Sequence, residues 1–367
     1  MKTIVFTVTN DLNYDQRMQR ICSSLANAGY EILLVGRNMP SSIALKEQVF
    51  KQKRLNCFFS KAALFYAEYN LRLFFFLLFI KMDAVCAIDL DTILPCYLVS
   101  VFRKKKRAYD AHELFTEMKE VVTRPLIKKQ WMKIEKFTVP KFKFGYTVSY
   151  SIAEEFNKRY AITYDVIRNM PVKKASLETS KNAASTEKFI LYQGAVNEAR
   201  GLENLIVAMK KVDSVLHIYG DGNLYDEVKN AIKKNQLEHK IFLKGKLVPA
   251  ELYAITQQAY IGINLVEPIG LNQIYSLANK FFDYIQAGVP QVTMNFPEYN
   301  KVNDEYEVAV LVNTVDANEI ADALNYLLHN VDVHERLHLN CMPAKEIYNW
   351  QQEEIKLLEF YKRLFSE

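Results

Sequence analysis

A regular alternation most narrows what this chain can fold into: short apolar runs, each followed by a helix-length segment, with connections too long for hairpins. "TIVFTVT", "EILLVGR", "AVCAIDL", "RAYDAHE", "YTVSYS" and "YDVIRNMP" succeed one another in this way. Strands joined by long crossovers pair in parallel, so the pattern predicts an α/β chain built on a doubly wound sheet. After the first run, Met18, Ile21, Cys22 and Leu25 recur at helical spacing before "NAG" ends the helix.

The alternation is interrupted once. Residues 172–187, "VKKASLETSKNAASTE", are polar and lack apolar periodicity, as a linker or exposed loop does. Strand-like runs then resume: "FILYQGA", "SVLHIYGDG", "IFLKG", "AYIGINL", "PQVTMN" and "VAVLVN". We therefore expect a Rossmann-like domain over 1–171, the linker, a second Rossmann-like domain over 188–345, and a C-terminal helix over 346–367 packing back on the first domain. With 367 residues, half of them hydrophobic, the chain can bury two cores. Ligands of open parallel sheets bind beyond the carboxyl ends of the strands, which predicts a site in an interdomain cleft.

Several classes are disfavoured. The five cysteines are scattered and form no CxxC pair, which argues against a disulfide framework or zinc ribbon and for a reducing cytoplasm. Met1 and Lys2 lead straight into a strand pattern, so no secretory leader is expected. The eight apolar residues from Leu73 to Ile80 fall far short of the roughly 18–20 that span a bilayer. No GxGxxG or GxxxxGK[ST] follows any strand-like run, which argues against NAD or FAD enzymes and P-loop NTPases. "HERLH", His334 to His338, matches HExxH, but near the end of the chain and in a charged segment it reads as a solvated helix face rather than a zinc site.

Candidate functional residues stand just after the strand-like runs. Gly194, Gly220 and Gly245 would let a ligand approach bare backbone, and Arg200 at a helix start can neutralise a phosphate. The Gly220-Asp221-Gly222 turn also reads simply as a tight turn. Asp110, His112 and Glu113 end another run, where the histidine either reaches substrate or is a satisfied turn residue. In "SLANKFFDYIQAGVP", residues 276–290, an amphipathic helix opens with Ser276 and Asn279 and carries Lys280 and Asp283 three residues apart. A helix start with an added lysine suits an anion.

Taken in order, "VTNDLNYDQRMQRICSSLANAGYEILLVGR", "YDAHE", "VIRNMP", "YQGAVNEARGLENLIVAM", "IYGDGN", "SLANKFFDYIQAGVP" and "YNWQQEEIKLLEFY" resemble the retaining glycosyltransferases of family four. The resemblance implies a GT-B arrangement of two Rossmann-like domains and transfer of a sugar from a nucleotide-diphosphate donor, of UDP or GDP type, to a hydroxyl of a glycan or lipid-linked acceptor. It further implies retained anomeric configuration, no cofactor and no metal. His112, Arg200 and Lys280 would be catalytic. Gly194, Gly220, Gly245, Tyr275, Ser276, Leu277, Asn279 and Asp283 would bind the donor, Asp283 serving the ribose. Asn10, Asp11 and Asp15 would face the acceptor. The chain departs from the family where Tyr275 replaces a glutamate that contacts the donor sugar and Ala195 replaces an arginine; Glu267 is a nearby carboxylate out of register.

Charge is uneven: 27 Lys and Arg stand against 16 Asp and Glu through residue 171, and 20 against 26 thereafter. A basic first half with an aromatic segment from Phe58 to Ile80 and "RKKKR" at 103–107 suits an anionic membrane surface, peripheral on its cytoplasmic side, although the same segment also reads as a buried helix. No nucleic-acid motif accompanies the charge. Two other readings fit these residues: a non-catalytic nucleotide-sugar-binding protein, favoured by Tyr275 and Ala195, and a sugar-nucleotide epimerase.

Overall fold

The computed structural model describes residues 1–173 and 188–366; most of the linker expected at 172–187 lies outside them. The chain divides into two compact units, Met1–Asn169 with Glu353–Glu367, and Met170–Gln352.

The first unit holds seven strands: β1 (Thr3–Thr7), β2 (Glu31–Asn38), β3 (Lys51–Asn56), β4 (Ala84–Ile88), β5 (Lys106–Ala111), β6 (Gly145–Thr147) and β7 (Asp165–Val166). They pair in parallel in the order β3-β2-β1-β4-β5-β6-β7. Strands β1 and β4 are buried along their whole length, as parallel strands covered on both faces must be. Met18, Ile21, Cys22 and Leu25 are fully buried on the helix Gln16–Asn27. Asp15 caps that helix by accepting the Met18 amide at 3.0 Å. Strand β3, "KQKRLN", carries three cations and lies at the sheet edge, where charge discourages further strand pairing. The C-terminal helix Trp350–Ser366 buries Leu357, Phe360, Tyr361 and Leu364. Its Tyr361 ring meets Phe6 of β1 edge-on at 5.8 Å, and Glu353 accepts the Arg168 amide at 2.8 Å.

The second unit holds β8 (Phe189–Gln193), β9 (Val215–Tyr219), β10 (Ile241–Gly245), β11 (Ile261–Asn264), β12 (Gln291–Met294) and β13 (Ala309–Val312). These pair in parallel in the order β10-β9-β8-β11-β12-β13. Its core is the apolar filling of this sheet, among it Ile190, Ile218, Ile263 and Val292, against helix residues such as Leu205, Phe281, Ile285 and Leu324. The order reverses between β8 and β11, the switch point at which open parallel sheets offer a crevice.

Three strand ends beside that point are laced together. The Gly194 amide donates to the Tyr219 carbonyl and the Gly220 amide to the Gly245 carbonyl, each at 2.9 Å. A Cβ on Gly220 would stand 1.8 Å from the Gly194 carbonyl oxygen, and one on Gly222 would stand 2.3 Å from both the Val196 carbonyl oxygen and the Asn197 side-chain oxygen. Substituting Gly220→Ala should therefore push the two turns apart and destabilise the second unit by about 2–3 kcal/mol. Urea unfolding followed by tryptophan fluorescence and circular dichroism would detect this as a lower midpoint with an unchanged slope.

Candidate functional site

The switch point of the second sheet gathers most of the residues singled out in this half. Gly194 leaves β8 at φ 122°, open enough that a Cβ there would meet only Lys280, at 3.6 Å from its Cε. Lys280 lies on the helix Asn279–Ala287, and its Nζ is 3.8 Å from the centroid of the Tyr192 ring. The stem of Lys280 is partly exposed, whereas its amine nitrogen is buried and has no hydrogen-bond partner. Burial pushes the Lys280 pKa well below the ordinary lysine value, the charge of Arg200 pushes it the same way, and Asp283 opposes both. Arg200 thus shares an electrostatic neighbourhood with Lys280 and, through Tyr192 and Tyr299, with the ends of the sheet.

Asp283 sits one turn along the same helix and is held by a chain that the sequence did not disclose. The Thr256 hydroxyl donates to Gln193 Oε1 at 2.7 Å, and Gln193 Nε2 donates to Asp283 Oδ2 at 3.2 Å. Gln193 is the last residue of β8 and is 3% exposed. Asn264, the last residue of β11, and Thr293 of β12 lie alongside and bond each other at 2.9 Å. A polar residue ending an apolar run was the available signal for Gln193 and Asn264.

The helix expected to open at Ser276 does not. A short helix, Leu271–Tyr275, ends at Ser276, whose hydroxyl turns back to the Gln273 carbonyl at 3.2 Å. Ala278 is extended, and the next helix starts at Asn279 with no side chain capping it. The reason is Tyr299, whose hydroxyl accepts the Ala278 amide at 3.0 Å and draws the chain out of helical geometry. Asn279 is exposed at the new start, Leu277 packs against the core and Tyr275 is half-buried. Gly245 adopts φ 70° with open space around it. The Gly220-Asp221-Gly222 turn serves the interlocking of loops: the Asp221 carbonyl accepts the Val196 amide at 3.0 Å.

In the first unit, Asp110 is fully buried and binds Arg17 at 3.0 Å. His112 Nε2 lies 3.8 Å from the other Asp110 oxygen. Burial drives the His112 pKa well below the usual imidazole value, aided by Arg17 and Arg20, so the ring is neutral at pH 7. Of the acceptor-side candidates, Asp15 is a helix cap that also lies 3.3 Å from the Asn10 amide nitrogen. Asp11 is turned to structural use as well: it binds Arg54 at 2.6 Å, takes the Asn13 amide at 3.0 Å and bonds Ser42. Those bonds together outweigh burial and lower its pKa.

Within HExxH, the His334 ring stacks on Tyr260 with centroids 3.8 Å apart and its Nε2 lies 2.8 Å from the Tyr260 carbonyl oxygen. His338 Nδ1 lies 2.5 Å from the Gly288 carbonyl oxygen. The two histidines thus engage separate backbone carbonyls, while Glu335, Arg336 and His338 lie exposed, as expected of a solvated face. Among the described residues no group of three His, Cys, Asp or Glu is placed to hold a metal ion. An open groove of about 990 Å³ on the first unit, lined by residues including Asn157, Lys158, Tyr164 and Lys356, brings together none of the candidate residues.

Two doubly wound parallel sheets, the second with cations at its switch point, define the GT-B class of two-domain α/β proteins. Residues 174–340 match the family described as glycosyl transferases group 1. No curated protein matches the chain. Among solved structures, sucrose-phosphate synthase from Thermosynechococcus elongatus is similar over 100% of both chains, with a TM-score of 0.78 at 16% identity. A glycosyltransferase from Rickettsia africae is similar over 99% of this chain and 98% of its own, with a TM-score of 0.75 at 14% identity. HepE from Anabaena, solved with UDP, is similar over 99% and 100%, with a TM-score of 0.74 at 10% identity. At such identities the likeness is one of fold.

A buried amine without a partner weakens the unliganded protein. Between the depressed folded-state pKa of Lys280 and the ordinary lysine value, the unfolded chain binds a proton that the folded chain gives up, so stability rises with pH across that window. Lys280→Met removes this dependence and lays a thioether on the Tyr192 ring. The variant should melt about 2–4 °C above the unchanged protein near neutral pH, and differential scanning calorimetry at several pH values would register both the rise and the lost slope.

Proposed function

We propose that this glycosyltransferase moves a sugar from a nucleotide-diphosphate donor of UDP or GDP type to a hydroxyl of a glycan or lipid-linked acceptor, with retention of anomeric configuration and without a metal or cofactor, in the synthesis of a surface polysaccharide or glycoconjugate. The observation that carries this reading is the unpartnered Lys280 amine beside Arg200 at the carboxyl edge of the second sheet. A buried amine with no hydrogen-bond partner is a costly arrangement that an incoming diphosphate relieves. HepE, which shares the fold, was solved with UDP.

In this reading Lys280 takes up a proton as the diphosphate arrives and, with Arg200, carries the charge that develops when the bond from the anomeric carbon to the diphosphate oxygen breaks. The uncapped start of the helix at Asn279 adds its free amides to the same anion. Asp283, fixed by Gln193, accepts hydrogen bonds from the ribose hydroxyls. The acceptor oxygen bonds to the anomeric carbon on the face the diphosphate leaves, and its proton passes to a departing phosphate oxygen. His112, neutral at pH 7, donates or accepts a hydrogen bond without adding charge. Tyr275, where the family resemblance implies a carboxylate, offers the sugar a phenol hydroxyl instead.

Calorimetric titration of UDP, GDP and ADP with a chelator present tests this. One diphosphate should bind selectively, with net proton uptake revealed by repeating the titration in buffers of different ionisation enthalpy. Affinity should fall as pH rises above the free-state pKa of Lys280. Lys280→Met should abolish the proton uptake and weaken binding by about tenfold or more, and Asp283→Ala should weaken nucleoside recognition. Absence of binding to all three would sink the reading; binding followed by release of an isomerised sugar nucleotide without acceptor would replace it with an epimerase.

A further inference from the structure

The helix Ala62–Phe79 of the first unit is apolar on two opposite faces. Phe65, Tyr69, Leu73 and Leu77, four residues apart, are buried, while Leu71, Phe75 and Phe79, also four apart, face outward. Its two charged residues, Glu68 and Arg72, pair with each other at 2.8 Å, and Glu68 also takes the Phe58 and Phe59 amides. The helix Ile93–Phe102 packs beside it and repeats the pattern, with Ile93, Cys96 and Val99 inside and Leu98, Val101 and Phe102 outside. Arg103 ties the carboxyl ends together by donating to the Leu77 and Ile80 carbonyls at 2.7 and 2.6 Å. Phe79 and Phe102, 85% and 78% exposed, therefore stand at one joined end of the pair. The exposed Lys81 and Lys104 and the half-buried Lys105 and Lys106 follow directly, and no carboxylate occurs in residues 69–82 or 92–109.

We propose that this two-helix face is a membrane-docking surface that inserts Phe75, Phe79 and Phe102 among the lipids of an anionic bilayer while the lysines after each helix meet the headgroups. Charge complementarity selects this occupant. Exposed aromatics flanked by unpaired lysines fit an apolar layer bounded by negative phosphates, whereas protein interfaces deplete lysine around their apolar centres. No helix among the described residues is long and apolar enough to cross a membrane, so the contact is one of lying on the surface. The inference does not rest on the donor site.

Co-sedimentation of the full chain with phosphatidylcholine vesicles and with equal mixtures of phosphatidylcholine and phosphatidylglycerol tests it. The protein should pellet with the mixed vesicles alone, and less so as salt rises. The triple variant Phe75→Ser, Phe79→Ser, Phe102→Ser and, separately, Lys104→Glu with Lys105→Glu should each weaken binding about tenfold or more while keeping the melting behaviour of the unchanged protein. Equal binding to neutral vesicles, or either variant binding as before, would overturn the proposal. So would a dimer that the phenylalanine variant dissolves in a protein that ignores vesicles, since that outcome assigns the face to a second copy.

Discussion

The approach of Gly220 to the carbonyl of Gly194 is the constraint on which the candidate site depends. With a Cβ position 1.8 Å from that oxygen, the turns after β8 and β9 tolerate no side chain at residue 220. The hydrogen bonds from Gly194 to Tyr219 and from Gly220 to Gly245 follow from this contact. So does the bare backbone beside Lys280. A side chain at residue 194 would either crowd the lysine stem or bring a polar atom to its amine. Glycine does neither, and the amine is left facing the Tyr192 ring, a weak acceptor that makes up only part of the lost hydration.

The first unit handles its buried cation differently. Arg17 is buried too, yet it binds Asp110 at 3.0 Å and donates to the Ile167 carbonyl at the same distance. Burial raises the Asp110 pKa and Arg17 draws it back; burial lowers the Arg17 pKa and Asp110 raises it. Each group offsets part of what the other lost on leaving water, which is how a buried pair becomes structural. Lys280 has Asp283 near enough to oppose its shift but no bond that satisfies its amine. The same physics that makes Arg17 part of the framework leaves the Lys280 amine without a partner.

What the sequence disclosed was whatever depends on local pattern. The strands read correctly because apolar runs such as "FILYQ" are buried at every residue, and the first helix because Met18, Ile21, Cys22 and Leu25 keep its period. Strand β3 escaped notice because an edge strand of lysines and arginine carries no apolar signal. The helix break before Asn279 depends on Tyr299, a residue remote in sequence, and "SLANK" gives no sign of it. Asp11, named for the acceptor side, is bonded by Arg54 and Ser42, partners remote in sequence. The carbonyls of Tyr260 and Gly288 that engage the histidines of HExxH could be named only from the fold. Long-range hydrogen bonds, not periodicity, decided each of these cases.

Asp283 shows how such a bond can bear on specificity. An aspartate is one methylene shorter than the glutamate implied by the family resemblance, a difference of roughly 1.5 Å along the side chain. Gln193 does not extend that reach; it draws the carboxylate toward the end of β8, and Thr256 fixes Gln193 in turn. In the proposed reading, a ribose served by this carboxylate sits closer to the strand end, beside the bare Gly194 turn. In that reading the shorter acid and the glycine turn belong together, because a carboxylate drawn toward the sheet serves a nucleoside only where the backbone lets it follow.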